Sequence, residues 1–373
     1  MQGQCMKNTP NMLARYGIPQ QEIDQKLDMV FRTIFEDEQE RFYFPFGSDM
    51  GFLMDTGNLD VRTEGMSYGM MMCVQRGEKE LFDRLWRFAK KFMWQADGPY
   101  AGYFAWSVSP DGTKNAQGPA PDGEEYFAMA LFFASSRWGD DGTPPLDYGT
   151  QARDILRHCV HQHELAAGGQ PMWDEKSALI KFVPEADFSD PSYHLPHFYT
   201  LFAALAEERD RPFWLRAAEQ SRAYLTLACH QKTGLAPEYA HYDGTPETAH
   251  GHGDFFSDAY RVTMNIGLDS AWFGTRPEYR AIADNLQSFL DGREPYMTYQ
   301  IDGTPLATPA LHPTAIIATT AAASLATDTP LSRKWVKKFW DTPPRTGEGR
   351  YYDNCLYFFC LLMLAGEYHM LAQ

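Results

Sequence analysis

The chain has 373 residues, long for one domain but within reach of a single large helical toroid or of two domains. Its formal net charge of -16 would repel nucleic-acid phosphates and an anionic membrane surface, so neither is an expected partner. An aromatic content of 14% beside that acidity suits a neutral ligand held by ring stacking, and neutral sugars are such ligands.

Residues 1–19 are polar and lack an apolar core of the signal-peptide kind. The longest apolar run, Cys355 to Ala365, is 11 residues, well short of the roughly 20 needed to span a membrane. The cysteines at 5, 73, 159, 229, 355 and 360 form no Cys-x-x-Cys, and three lie in helical patterns, so reduced, buried thiols are expected. These features predict a cytoplasmic monomer.

Helical periodicity begins at Gln20–Glu36, where Ile23, Leu27, Val30, Phe31 and Ile34 recur at three- and four-residue spacing. A glycine-rich loop leads to Glu64, which opens an uncharged run to Val74 that reads as an inner helix, apolar nearly all round. Glu78–Trp94, Glu124–Trp138, Asp147–His163, Ser192–Glu207 and Pro212–Cys229 follow. Asp258–Phe273, Pro277–Leu290, Pro313–Ala326, Leu331–Trp340 and Asp353–Leu371 complete a set of twelve. From the fourth onward apolar and amphipathic helices tend to alternate, as inner and outer walls of a toroid would. No repeat of fixed period points to a solenoid. The expected fold is all-α, a six-hairpin (α/α)6 barrel forming one domain over residues 1–373. Asp-Gly-Thr turns at 111–113, 141–143, 243–245 and 302–304 punctuate it. Three follow alternating aromatic stretches, which predicts small β-hairpins on one rim.

Glu64, Asp122 and Asp258 each stand at the opening of an apolar helix. Capping and the helix dipole favour acids there in any protein. If the inner helices enter from one end, however, the three carboxylates meet at one mouth. That arrangement serves glycoside hydrolysis, which needs a protonated acid at the leaving oxygen and an ionised partner across the bond. Arg261, one helical turn after Asp258, can pair with it and keep it ionised. The triad His250-x-His252-x-Asp254 has metal-ligand residue types but is flanked by glycine and lacks a further ligand, so no metal or other cofactor is expected.

Four stretches, in order, resemble motifs of glycoside hydrolase family 8: Arg62-Thr63-Glu64-Gly65-Met66-Ser67-Tyr68-Gly69-Met70, Ala120-Pro121-Asp122-Gly123-Glu124-Glu125-Tyr126, Asp190-Pro191-Ser192-Tyr193-His194-Leu195-Pro196 and Ser257-Asp258-Ala259-Tyr260-Arg261-Val262. The resemblance runs from about residue 40 to 365 and departs at Met66-Ser67, where the family has Gln followed by a small residue. It implies an (α/α)6 barrel and hydrolysis with inversion. Glu64 would then be the general acid, Asp258 the general base, Asp122 a holder of the subsite −1 hydroxyls and Tyr193 a partner of the attacking water. Trp106, Tyr126 and Tyr351 are candidate stacking platforms. Ala310-Leu311-His312-Pro313 resembles the kink that, in family members trimming xylo-oligosaccharides from the reducing end, closes the site beyond subsite +1. Leu311 and His312 would form that wall, and xylose would leave from the reducing end of short β-1,4-xylo-oligosaccharides. The rivals are an endo-acting xylanase or β-glucanase of the family, another (α/α)6 enzyme such as an epimerase, and a non-catalytic carbohydrate-binding toroid.

Overall fold

The computed structural model describes residues 7–371; Cys5 and the first six residues lie outside them. Thirteen α-helices run through the described residues. After the short α1 (Met12–Arg15) they form two walls. The outer helices are α2 (Gln20–Phe35), α4 (Lys79–Phe88), α6 (Tyr148–Leu165), α8 (Arg211–Ala228), α10 (Pro277–Leu290) and α12 (Pro330–Asp341). The inner ones are α3 (Thr63–Arg76), α5 (Pro121–Trp138), α7 (Pro196–Leu205), α9 (Arg261–Phe273), α11 (Pro313–Ala322) and α13 (Arg350–Ala365).

Each inner helix packs on the next, and α13 returns to α3, so the ring closes. Composition sorts the walls. In α3 every residue from Gly65 to Gln75 is buried, whereas α4 buries Phe82, Leu85, Trp86 and Phe88 and exposes its charged face. The (α/α)6 barrel is therefore the architecture.

The departures are local. The stretch Ser192–Glu207 does not start as one helix: Pro191–Tyr193 is a 3-10 turn, His194 is extended, and α7 begins at Pro196, whose ring fits the first helical position. A 3-10 turn, Ser257–Tyr260, likewise precedes α9. The last helix stops at Ala365 rather than Leu371, because Gly366 takes a left-handed φ of 79° and ends it. Residues His369–Met370 then pair with Lys7–Asn8.

All four Asp-Gly-Thr triplets make the same turn, the Asp carboxylate accepting the Thr N–H at 2.8–2.9 Å. Among the described residues, only Met297–Tyr299 with Pro305–Pro309 makes a ladder of more than one pair across such a turn. The turn at 243–245 is closed by one bridge, Ala240 to Pro246. The turn at 111–113 is likewise closed by one bridge, Val108 to Lys114, and Ser107–Val108 also pairs with Val61–Arg62, the strand leading into α3. No helix among the described residues is long and apolar enough to cross a membrane.

Candidate active site

The inner helices α3, α5, α9, α11 and α13 bring residues from their first turns, or from the residues just before them, to one mouth of the barrel, and the turn before α7 joins them. Glu64 occupies the second position of α3, behind an extended Arg62. The Thr63 N–H donates to the Trp106 carbonyl at 2.9 Å, which sets Trp106 beside it. Asp122 has the same place in α5, after Pro121. A glycine follows each acid for a reason of space. A Cβ on Gly65 would lie 2.4 Å from the Tyr351 hydroxyl, and one on Gly123 would lie 2.5 Å from the Thr63 side chain. The inner helices can approach at this level because both positions are bare.

Arg261 sits at the centre, 2% exposed. Its Nη1 donates to Asp122 at 2.9 Å, to Glu64 at 3.2 Å and to the Tyr68 hydroxyl at 2.8 Å. Its Nη2 reaches Asp258 at 3.2 Å and stands 3.9 Å from Asp190. The pairing with Asp258 expected from spacing is present, but it is one of four. Four carboxyls around one guanidinium cannot all stay ionised cheaply in a buried place.

Burial and the neighbouring Asp122 and Asp258 outweigh Arg261 and raise Glu64 to about 7. Burial raises Asp122 as well, against the opposing pull of Arg261. Asp190, wholly buried, is held well above the ordinary carboxylate range by burial and by Asp258. Asp258 is the most open of the four, its side chain 29% exposed. The Tyr352 hydroxyl lies 3.5 Å from its Oδ1 and donates to the Ser257 carbonyl at 3.1 Å. Ser257 itself holds a φ of 27°, a strained value for a residue with a side chain.

A cavity of about 410 Å³ opens onto this cluster, walled by Arg62, Thr63, Glu64, Trp106, Pro119, Ala120, Asp122, Phe182, Val183, Tyr193, Tyr239, Asp258 and Arg261. Trp106 is 37% exposed and has Arg62 5.4 Å from its ring. Tyr193 faces the Arg261 guanidinium at 5.5 Å.

Two of the expected stacking platforms are corrected. Tyr126 is 3% exposed, with Tyr68, Phe198 and Phe359 around its ring at 4.7–5.7 Å, so neither face is free for a sugar. Tyr351 is 2% exposed and meets the ring of Phe42; its hydroxyl donates to Glu64 Oε1 at 3.0 Å. It orients the acid rather than offering a surface. Leu311 and His312 lie outside the cavity lining; the ring of His312 is 4.6 Å from that of Tyr352, whose hydroxyl is 3.5 Å from Asp258. His250 and His252 turn to different carboxylates, Glu247 at 2.8 Å and Glu238 at 2.9 Å.

Asp190, Tyr68 and Tyr352 escaped the sequence reading as site residues. Tyr68 could have been found, since it lies one turn after Glu64 on the same helix face. Asp190 stood inside a quoted motif, but an Asp before Pro reads first as a turn former, and here it does accept the Ser192 N–H at 2.7 Å.

The geometry has close counterparts. The chain is 54% identical, over 96% of its length and 93% of the relative's, to a reducing end xylose-releasing exo-oligoxylanase of Halalkalibacterium halodurans. It is also 54% identical to the reducing-end xylose-releasing exo-oligoxylanase Rex8A of Paenibacillus barcinonensis, covering 96% of each chain. The structure of Rex8A complexed with xylose superposes with a TM-score of 0.96 over 98% of both chains, at 53% identity. The model of glycosyl hydrolases family 8 matches residues 30–366. With four acids gathered at the mouth of an (α/α)6 barrel and that match across nearly the whole chain, the protein belongs to glycosyl hydrolases family 8.

Proposed function

We propose that this chain is an inverting glycoside hydrolase that releases xylose from the reducing end of short β-1,4-xylo-oligosaccharides, and that it works as a single catalytic domain. The observation that carries the mechanism is the guanidinium of Arg261 shared between Glu64 on Nη1 and Asp258 on Nη2. With Glu64 raised to about 7, its carboxyl still holds a proton near neutrality and can donate to the glycosidic oxygen as the C–O bond breaks. Asp258, the more open carboxylate, takes a proton from the water that attacks the opposite face of the sugar. Negative charge thus leaves Asp258 and appears on Glu64 while both remain against one cation. The net charge of the cluster is unchanged, which removes a large electrostatic cost from the step.

Asp122 holds hydroxyls of the sugar in subsite −1, Tyr193 orients the attacking water, and Trp106 offers the stacking face. Leu311 and His312 are the wall that leaves room for one sugar past the cut. Similarity above half identity to relatives that carry the reducing-end name supports this choice over internal cleavage. The five described cysteines, all free and buried, fit a reducing cytoplasm, and cell fractionation tests that assignment.

Xylotriose labelled at its reducing end tests the activity. Labelled xylose and unlabelled xylobiose are the expected first products, with the new xylobiose end appearing first as the α anomer by proton NMR. Labelled xylobiose, a β anomer, or no hydrolysis would overturn the reading.

A further inference from the structure

The segment Leu311-His312-Pro313 enters α11 with Leu311 51% exposed, yet it is not a loose loop. Asp353, in the first turn of α13 and 0% exposed, reaches across to it. One carboxylate oxygen of Asp353 pairs with His312 Nδ1 at 3.0 Å, and the other accepts the Ala315 N–H at 2.7 Å. The guanidinium of Arg345 pairs with the same Asp353 and donates to the Leu311 carbonyl at 2.7 Å. Arg345 is in turn fixed by Asn354, whose side chain accepts its N–H at 2.8 Å and donates to its carbonyl at 2.9 Å. Three points of the segment, at 311, 312 and 315, therefore hang on two side chains from elsewhere in the chain.

We infer that Arg345 and Asp353 are positioning residues for cleavage specificity: they hold the Leu311–His312 segment rigid, and that rigidity limits the product to one sugar beyond the cut. The inference rests on the reducing-end reading above. A wall of an exposed leucine and a histidine can exclude a second sugar only if it does not yield to a longer chain. Van der Waals contact from the sugar is weak beside the charge-assisted bonds that hold the wall. Asp353 also fixes the orientation of the His312 ring through Nδ1. Neither Arg345 nor Asp353 lines the cavity at Glu64 and Asp258.

The test is the length of the labelled product from xylotetraose labelled at its reducing end, compared among wild type, Arg345→Met, Arg345→Lys and Asp353→Asn. The Arg345 side chain is 29% exposed, so Arg345→Met opens little space although it leaves buried Asp353 with His312 as its remaining side-chain partner, and Asp353→Asn keeps the buried volume. Wild type is expected to give labelled xylose alone. Arg345→Met and Asp353→Asn are expected to give labelled xylobiose at a tenth or more of the labelled xylose, with Arg345→Lys between. A merely structural role would lower the total rate and melting temperature at a fixed product ratio. Folded Arg345→Met and Asp353→Asn proteins, by near-UV circular dichroism, that still release only labelled xylose would overturn the inference. Labelled xylobiose from the wild type would instead overturn the reducing-end reading itself.

Discussion

Two buried arginines lie on neighbouring helices of this barrel and do opposite things. Arg222 of α8 grips Asp269 of α9 with two nitrogens, at 2.9 and 2.7 Å, and reaches Glu219 at 2.8 Å; Arg276 holds the other side of Glu219 at 2.7 Å. Two cations meet two anions there, and every charge has a partner. Arg261 instead has four carboxyls within 3.9 Å, those of Glu64, Asp122, Asp190 and Asp258. Balance makes the first cluster a clamp between walls. In the second, burial raises the acids first and the excess of carboxyls around one cation adds to it, so the cluster is a proton store.

The sharpest way to break that contrast is to neutralise one acid in each cluster. Glu64→Gln and Asp258→Asn are each expected to lower kcat on xylotriose by about 10²–10⁴-fold, the usual worth of a general acid or base. Neither is expected to lower stability in urea, since each relieves an over-acidic site. Asp269→Asn is expected to do the reverse, leaving the rate of the folded protein intact while weakening it. Wild-type turnover in both Glu64→Gln and Asp258→Asn would remove the catalytic account and leave a sugar-binding toroid.

Removing the cations comes next in size. Arg222→Met strands Asp269 in the interior and should cost about 3–5 kcal/mol in urea unfolding, with the turnover of the folded fraction retained. Arg261→Met should cost a comparable amount at pH 8 and less toward pH 5, where Glu64, Asp122 and Asp190, all raised by burial, can take up protons. It should also lower kcat by about 10²-fold or more, because the charge transfer from Asp258 to Glu64 loses its shared counter-ion. Equal kinetic effects from the two substitutions would show that the difference in charge balance has no catalytic meaning.

The sequence made the walls of the barrel legible because they are written in periodicity: inner helices lack a polar face and outer ones have it. It made Glu64, Asp122 and Asp258 legible because helix openings are where an acid can be buried and still face a cavity. What it hid was everything decided by one helix reaching another. Arg261 has a local partner, Asp258, visible at three residues' spacing, but its contacts with Glu64 and Asp122 span 197 and 139 residues. Tyr126 and Tyr351 show the same limit from the other side. Both sit near the openings of inner helices beside site residues, yet the ring of one is spent on core packing and the hydroxyl of the other on Glu64. Strained backbone at Ser257 carries no signal in composition at all.

The smallest effect tests the proton store most directly. The Tyr351 hydroxyl donates to Glu64 Oε1 at 3.0 Å and so favours the ionised form of the acid. Tyr351→Phe removes that preference without adding volume, so Glu64 should hold its proton to a still higher pH than its present value of about 7. A hydrogen bond to a charged group contributes about 1.5–3 kcal/mol, and one pH unit corresponds to about 1.4 kcal/mol. The alkaline limb of kcat against pH should therefore move up by about one to two units, while the rate at pH 6 falls only modestly through looser aim of the acid. Stability follows the same sign. Because Glu64 binds its proton more tightly in the folded chain than at its ordinary value of 4.5, that contribution is full below pH 4.5 and is lost as pH rises through about 7. In Tyr351→Phe the loss should still begin near pH 4.5 but be complete only at a higher pH. An alkaline limb that stays where it is in the wild type would mean that some group other than Glu64 supplies the proton, and the excess of acids around Arg261 would need another use.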